Sequence, residues 1–397
     1  METNSAIFEA TRLIISHNQH LSFRDLIEPN LEIFSNFRLM YSSNNTVTNF
    51  GYLSLDEIES KCSSLKKFFY GSELLFFSKN IYQTYKKQEI VFIPIDYSLS
   101  FDSNVAERFR VYEKGGIVQE KEKLDRLIEF IKDYQFNFDY SFFCLENSEH
   151  ITQKNERPFN TVRAIIKSNP LNTYPLDRKE AGDLAIQEMF HPFNDEIYPR
   201  FRKQRKLIYL VLLKAIKLNW ESNEVNYQLK KIIDFCLEKL GTFPKKEIYL
   251  AWKLFKYGNS LSFFNPVRQP SNKILSKAKG ISWDFLLIDY QSMLVYSMSK
   301  NNKFFVPFFA SFDESFVKFR EACPIKCMLL DDREERTHIF FNDELEFNQD
   351  ISSAIDTDSE LFDRLNDQQQ ILRRSNLRLD NDELNVHIAS LEKAIKK

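Results

Sequence analysis

Four acidic residues stand where a chain can collect metal ligands. Asp102 follows a β-rich run, in Phe101-Asp102-Ser103-Asn104-Val105, and Glu247 sits in the first turn of a helical segment. Asp284 lies near the start of another helix, in Ser282-Trp283-Asp284-Phe285-Leu286-Leu287, and Asp313 follows the apolar run Phe304 to Ala310, in Ser311-Phe312-Asp313. In parallel α/β sheets, sites gather at the carboxyl ends of strands, where helix N-termini also point. Mg²⁺ and Mn²⁺ prefer carboxylate oxygen and water to His or Cys. Three or four converging carboxylates hold one or two such ions for in-line phosphodiester hydrolysis, activating water and stabilising the leaving oxygen. Taken singly, an Asp after an apolar strand is also a common helix cap.

Other residue types offer less. Arg200, Arg202, Lys203, Arg205 and Lys206 crowd the early turns of one helical segment and would suit an RNA backbone, or simply a solvated face. Ser103 and Asn104 are placed to orient a phosphate or to cap a helix. Asp96, six residues before Asp102, is an alternative first carboxylate. Asp289 is five residues after Asp284, about 140° around a helix, so the two do not share one ion easily. Glu188, Glu221 and Glu238 rival Glu247 for its role. Cys323 and Cys327 form the one close cysteine pair, with only His338 within fifteen residues, too few ligands for a structural zinc. Arg333 and His338 have the Arg-x4-His spacing of helical HEPN ribonucleases but lie between strand-like runs. No Gly-x-Ser-x-Gly elbow occurs. The 8 glycines include no Gly-x-Gly, which excludes a glycine-rich phosphate loop.

These residues need elements to position them. A β-rich run spans 89–101, interrupted at Pro94, and Phe304 to Ala310 reads as a buried strand, with another at Cys327 to Leu330. Ser54 and Glu57 fit a capping box for a helix running from Leu55 to about Phe69. Helical spacing recurs over Lys121 to Tyr134, Tyr198 to Trp220, Val225 to Leu240, Lys245 to Tyr257, Ile281 to Met298 and Glu314 to Ala322. Pro158, Pro170 and Pro175 mark 150–180 as a long connection or insertion. The expected organisation is an α-rich region over 1–88, an α/β core over 89–330 with a helical insertion at about 150–245, and an acidic helical extension over 331–397. The stripe Leu384, Ile388, Leu391 and Ile395 on the last helix would pack on the body or on a second copy.

Composition sets outer limits. With 397 residues, 43% hydrophobic and 28% charged, the chain can bury enough surface to fold. Its 38 Phe are mostly core material, although some could stack bases. Net charge is −2, so nucleic acid would have to bind a local patch rather than a global field. From Asp343 onward the chain turns acidic, which suggests a tail able to cover a basic groove. The longest apolar run, Leu207 to Leu213, is too short to span a bilayer, and the N-terminus lacks a signal-peptide pattern. Five scattered cysteines fit reduced thiols, so a soluble cytoplasmic protein is expected.

The order Asp102, Glu247, Asp284, Asp313 resembles the PIN-domain nucleases. The likeness is carried by Asp102-Ser103-Asn104-Val105, by the helical Trp283-Asp284-Phe285-Leu286-Leu287, and by Ser311-Phe312-Asp313 where the family places a Thr-x-Asp-like turn. It covers 281–320 best, with a second patch at 91–110. The resemblance implies a PIN-like parallel sheet flanked by helices. It also implies a ribonuclease whose Mg²⁺ or Mn²⁺ is coordinated by Asp102, Glu247, Asp284 and Asp313, acting on single-stranded or structured RNA with DNA left open, often as a toxin or defence effector. A scaffold that binds RNA or protein without cutting is the alternative from another class.

Overall fold

The computed structural model describes residues 2–396 except 18–20, 45–51, 88–91, 135, 153–155, 170–175, 195–196, 300–302, 313 and 357–379. The chain is mixed α/β and divides into two compact units. The first comprises 1–198, 288–320 and 324–342; the second comprises 199–287, 321–323 and 343–397. The expected core over 89–330 therefore contributes to both units.

All strands among the described residues belong to the first unit. They are β1 (Arg38–Ser43), β2 (Tyr52–Ser54), β3 (Leu65–Lys67), β4 (Glu73–Phe77), β5 (Ile95–Phe101), β6 (Asn137–Asp139), β7 (Phe304–Ala310), β8 (Ile325–Asp331) and β9 (Arg336–Phe341). One sheet is antiparallel, in the order β2-β4-β1-β8-β9; the other has the order β3-β7-β5-β6. In the second sheet β5 pairs parallel with both β6 and β7, and β3 adds antiparallel to the outer side of β7.

The region expected to be α-rich thus supplies four strands. Each is three to six residues long, too short for a period to show, and β4 is a continuous buried Glu73-Leu74-Leu75-Phe76-Phe77 run. The helix capped by Ser54 begins as expected, with the hydroxyl accepting from Glu57 N–H, but stops at Lys61. Leu65 is then drawn into pairing with Ala310, so burial against β7 overrides the helical pattern. Between 150 and 180 the chain is more regular than its prolines suggest. Pro158 sits in the first turn of the Glu156–Ser168 helix, where its missing N–H costs nothing.

Strand chemistry explains the second sheet. All seven residues of β7 are buried, as a central parallel strand requires. Pro94 lies just outside β5, and its carbonyl accepts Phe304 N–H at 2.9 Å. Alternate residues of a strand bond to opposite sides, so the donor that Pro307 lacks would point away from β5. There β3 has already ended, its register closing at Lys67 against Phe308. In the first sheet, buried Lys326 on β8 reaches from the strand to a helix end. Its Nζ donates to the carbonyls of Ile14 (3.0 Å) and His17 (2.7 Å) at the close of the Glu2–Ser16 helix. An ammonium there satisfies orphan carbonyls and the negative end of the helix dipole.

The second unit is helical among the described residues. Ion pairs and hydrogen bonds join the Lys245–Tyr257 helix to Asp343 and the acidic Glu344–Asp356 helix that follows it. Lys253 Nζ and Tyr249 Oη donate to Asp343 at 2.5 and 2.6 Å, Trp252 Nε1 and Lys256 Nζ to Asp350 at 2.7 and 2.6 Å, and Tyr257 Oη to Glu346 at 2.7 Å. Leu384 and Ile395 of the last helix are buried, so the ends of that apolar stripe pack on their own chain.

Lys253 is 4% exposed, and Asp343 is its carboxylate partner. Asp343→Ala leaves that ammonium buried without its counter-charge and should destabilise the protein by about 3–5 kcal/mol in urea titrations. The double variant Lys253→Met/Asp343→Leu should recover most of the loss, because it removes the desolvated charge as well as its partner.

Candidate functional site

The carboxyl edge of the parallel strands gathers acidic and hydroxyl groups from four separate stretches of the first unit. The register sets Phe101 beside Ala310 and Ser100 beside Asp139, so β5, β6 and β7 finish level with one another. Asp102 after β5 accepts and Ser311 after β7 donates, while β6 ends on the acceptor Asp139.

Asp102, directly after β5, caps the Ser103–Glu113 helix. Its Oδ1 accepts Asn104 N–H at 3.2 Å, and its Oδ2 accepts the Ser311 hydroxyl at 3.0 Å from the end of β7. Its own N–H donates to the Ala310 carbonyl. Ser103, the next residue, donates to Oε2 of Glu146 at 2.7 Å. Asp139 ends β6 and precedes the Ser141–Glu146 helix. One of its oxygens accepts the Ser100 hydroxyl (2.6 Å); the other accepts Tyr290 Oη (2.9 Å) and Ser141 N–H (3.1 Å). Gln291 Nε2 donates to the Ser100 hydroxyl at 2.5 Å and so fixes which way that hydroxyl points.

The electrostatics follow from crowding acids in a half-buried place. Desolvation pushes the Asp139 carboxyl up despite its donors. Glu146 is pushed up to about 7, by desolvation first and by the neighbouring Asp102 charge, with the Ser103 bond pulling the other way. A cation at this edge would relieve both penalties. The donors are all carboxylate oxygens, the set that Mg²⁺ and Mn²⁺ prefer. Asp102, Asp139 and Glu146 do not bring three oxygens within 4.8 Å of one another, and Asp102 and Asp139 each already accept donors on both oxygens. Glu146, which accepts the Ser103 hydroxyl on Oε2, and nearby Asp102 are the acids whose repulsion a cation would offset most directly.

Of the four carboxylates singled out by sequence, Asp102 lies in this cluster. Asp313 falls outside the described residues, although Ser311, two positions before it, contacts Asp102. Glu247 and Asp284 belong to the second unit. Glu247 is buried, accepts Gln204 Nε2 at 2.6 Å and has its carboxyl raised by desolvation, with Lys246 partly compensating. Asp284 stands midway along the Ile274–Met298 helix rather than near its start, and its charge helps to raise the Cys323 thiol. Asp96 lies at the opposite end of β5 from Asp102, roughly 20 Å away along a strand, and pairs with Lys303.

The basic residues of the Ile197–Glu221 helix are also in the second unit. Arg200 is exposed, whereas Arg202, Lys203, Arg205 and Lys206 are half-buried. Arg205 rests over the Trp283 ring at 4.6 Å, a cation–π contact that ties it to the fold. The acids at the start of the C-terminal region pair with Lys245, Lys253 and Lys256.

Asp139 and Glu146 do not stand out in the sequence because β6 is only three residues long. A usable signal exists all the same: Phe138-Asp139-Tyr140-Ser141 repeats the Phe-Asp followed closely by Ser that marks Phe101-Asp102-Ser103.

Because the folded carboxyl of Glu146 binds its proton more tightly than a free glutamate at 4.5, folding is favoured by this group below pH 4.5. That contribution is lost as pH rises through about 7. Chemical denaturation at pH 5 and pH 8 should show Glu146→Gln gaining on the wild type by up to about 3 kcal/mol at the higher pH. Equal stability differences at the two pH values would contradict the raised affinity. In comparison with known proteins, no family model matches the chain, no curated protein matches it, and no solved structure matches it.

Proposed function

We propose that the chain is a divalent-metal-dependent phosphodiesterase acting on RNA, with its site at the carboxyl edge of β5, β6 and β7. The observation that supports this reading is geometric: Asp102 and Glu146 are held at one strand edge by hydroxyls of Ser311 and Ser103, with Asp139 level with them at the end of β6. On this reading the three parallel strands form a PIN-like core, and the antiparallel sheet and helical unit are additions to it. RNA as substrate rests on the resemblance carried by Asp102-Ser103-Asn104-Val105 and Ser311-Phe312-Asp313. A toxin or defence role follows from the same likeness.

Mg²⁺ or Mn²⁺ held by Asp102 and Glu146 would supply Lewis-acid polarisation of the phosphoryl group and neutralise its charge. The chain's own groups prepare that site. Ser311 orients Asp102, and Ser103 orients Glu146, each by a hydroxyl donated to a carboxylate oxygen. The Gln291–Ser100–Asp139–Tyr290 network fixes the end of β6 and adds a third acid, Asp139, to the same strand edge. A carboxyl near neutrality can also accept or return a proton at working pH.

Asp102→Asn separates the site reading from a purely structural one, because Asn caps helices as well as Asp does. Cleavage of labelled single-stranded RNA with Mn²⁺ should fall at least about 100-fold in this variant while the melting temperature shifts by only about 2–4 °C. EDTA should abolish cleavage by the wild type. Cleavage that survives EDTA, or that Asp102→Asn leaves intact, would overturn the proposal. Tight RNA binding without products would favour a non-catalytic scaffold.

A further inference from the structure

A second group of candidate ligands lies in the same unit, on the hairpin formed by β8 and β9. One carboxylate oxygen from Asp331, one from Glu334 and one ring nitrogen of His338 all lie within 4.8 Å of one another, the only such trio among the described residues. The hairpin's register explains the meeting. Asp331 pairs with Arg336 and Leu329 with His338, so Asp331 and His338 occupy one face of the sheet as diagonal neighbours. The turn between them, tightened by Glu335 at φ 51°, brings Glu334 back over that face.

The hydrogen bonds around this trio are incomplete. Asp331 is 1% exposed. Its Oδ1 accepts Arg333 N–H at 3.0 Å, with Glu334 N–H and Arg333 Nε at 3.4 Å, but its Oδ2 is buried with no donor. His338 Nε2 is likewise buried without a partner. Leaving an acceptor of a desolvated carboxylate unsatisfied costs free energy that a fold normally avoids. An unpaired carboxylate oxygen and an unpaired imidazole nitrogen in one cluster ask for a single electrophile. The arginines beside them do not serve: Arg333 reaches Oδ1 of Asp331, and Arg336 pairs with Glu334 at the half-exposed rim of the turn.

We infer that Asp331, Glu334 and His338 form a binding site for a borderline divalent cation, Zn²⁺ by preference. Two carboxylates and one imidazole are a donor set that zinc accepts and that Mg²⁺, which favours oxygen alone, does not select. Bond lengths of about 2.0–2.2 Å place tetrahedral donors roughly 3.3 Å apart, so the trio has to close by side-chain rotation, which the exposed turn permits at Glu334. Three protein ligands leave a fourth position to water. The site is independent of the Asp102–Glu146 pair and of the reaction proposed there.

The test is calorimetric titration of Zn²⁺ into the full chain, stripped of metal with EDTA and dialysed, in buffer containing excess Mg²⁺ to occupy the all-carboxylate edge. One equivalent should bind with micromolar affinity or better. Because the loss even of a group that only supports a ligand weakens metal binding about 10–100-fold, His338→Gln and Glu334→Gln should each weaken it at least 10-fold. Co²⁺ in place of Zn²⁺ should give visible absorption bands that His338→Gln shifts or removes. Glu334→Gln changes only a turn residue, so it keeps the test sound if the histidine variant misfolds. No zinc uptake by the wild type, or uptake that both variants leave unchanged, would overturn the inference.

Discussion

The parallel pairing of β5 with β7 is the constraint on which the first unit rests. Seven residues of each strand lie in register, from Ile95 beside Phe304 to Phe101 beside Ala310. Their common end fixes where Asp102 and Ser311 meet, although these residues are 209 apart in sequence. Parallel strands need a crossover, and here the return path to β7 carries the helices of the second unit as well as part of the first. β6 then joins the other side of β5, and its register delivers Asp139 to Ser100. The β5–β6 ladder levels Asp139 with Ser100, and the β5–β7 ladder is what brings Ser311 to Asp102.

The chain uses its acids in two physically different ways. In the second unit Asp343, Glu346 and Asp350 each meet lysine, tyrosine or tryptophan donors, and the charge is spent on holding two helices together. At the strand edge, acids meet only neutral donors, whose hydrogen bonds do not offset the desolvation that raises the Asp139 and Glu146 proton affinities. Neutral donors orient a carboxylate without cancelling its charge, so the residual demand for a cation stays in place. A surplus of acidic residues beyond Asp343 is visible in the sequence; which of them are already satisfied is not.

Legibility follows element length. The long helices over Tyr198 to Trp220, Val225 to Leu240 and Lys245 to Tyr257 show their period and lie where the spacing puts them. The apolar run of β7 and the end of β5 before Asp102 are equally plain. The strands β1 to β4 and β6 are not, since three to six residues carry no decisive period and their pairing partners lie far along the chain. The same limit hides Asp139 and Glu146, which gain meaning only once β6 is placed beside β5. Asp331 and His338 sit on strands whose apolar character is visible, but only the antiparallel register sets them on one face.

The wide separation of β5 from β7 also governs how the protein is made. A ribosome adding about 5–20 residues per second completes β7 roughly 10–40 seconds after β5 has emerged. Through that interval β5 has the short β6 to pair with on one side and no strand on the other, although Phe101 can already pack on Phe109 and Phe138. An open edge of this kind invites pairing with other nascent chains. Folding of the first unit is therefore completed late, after the helical stretch between the two strands has been synthesised, and its yield in a cell depends on how well β5 is shielded during the wait.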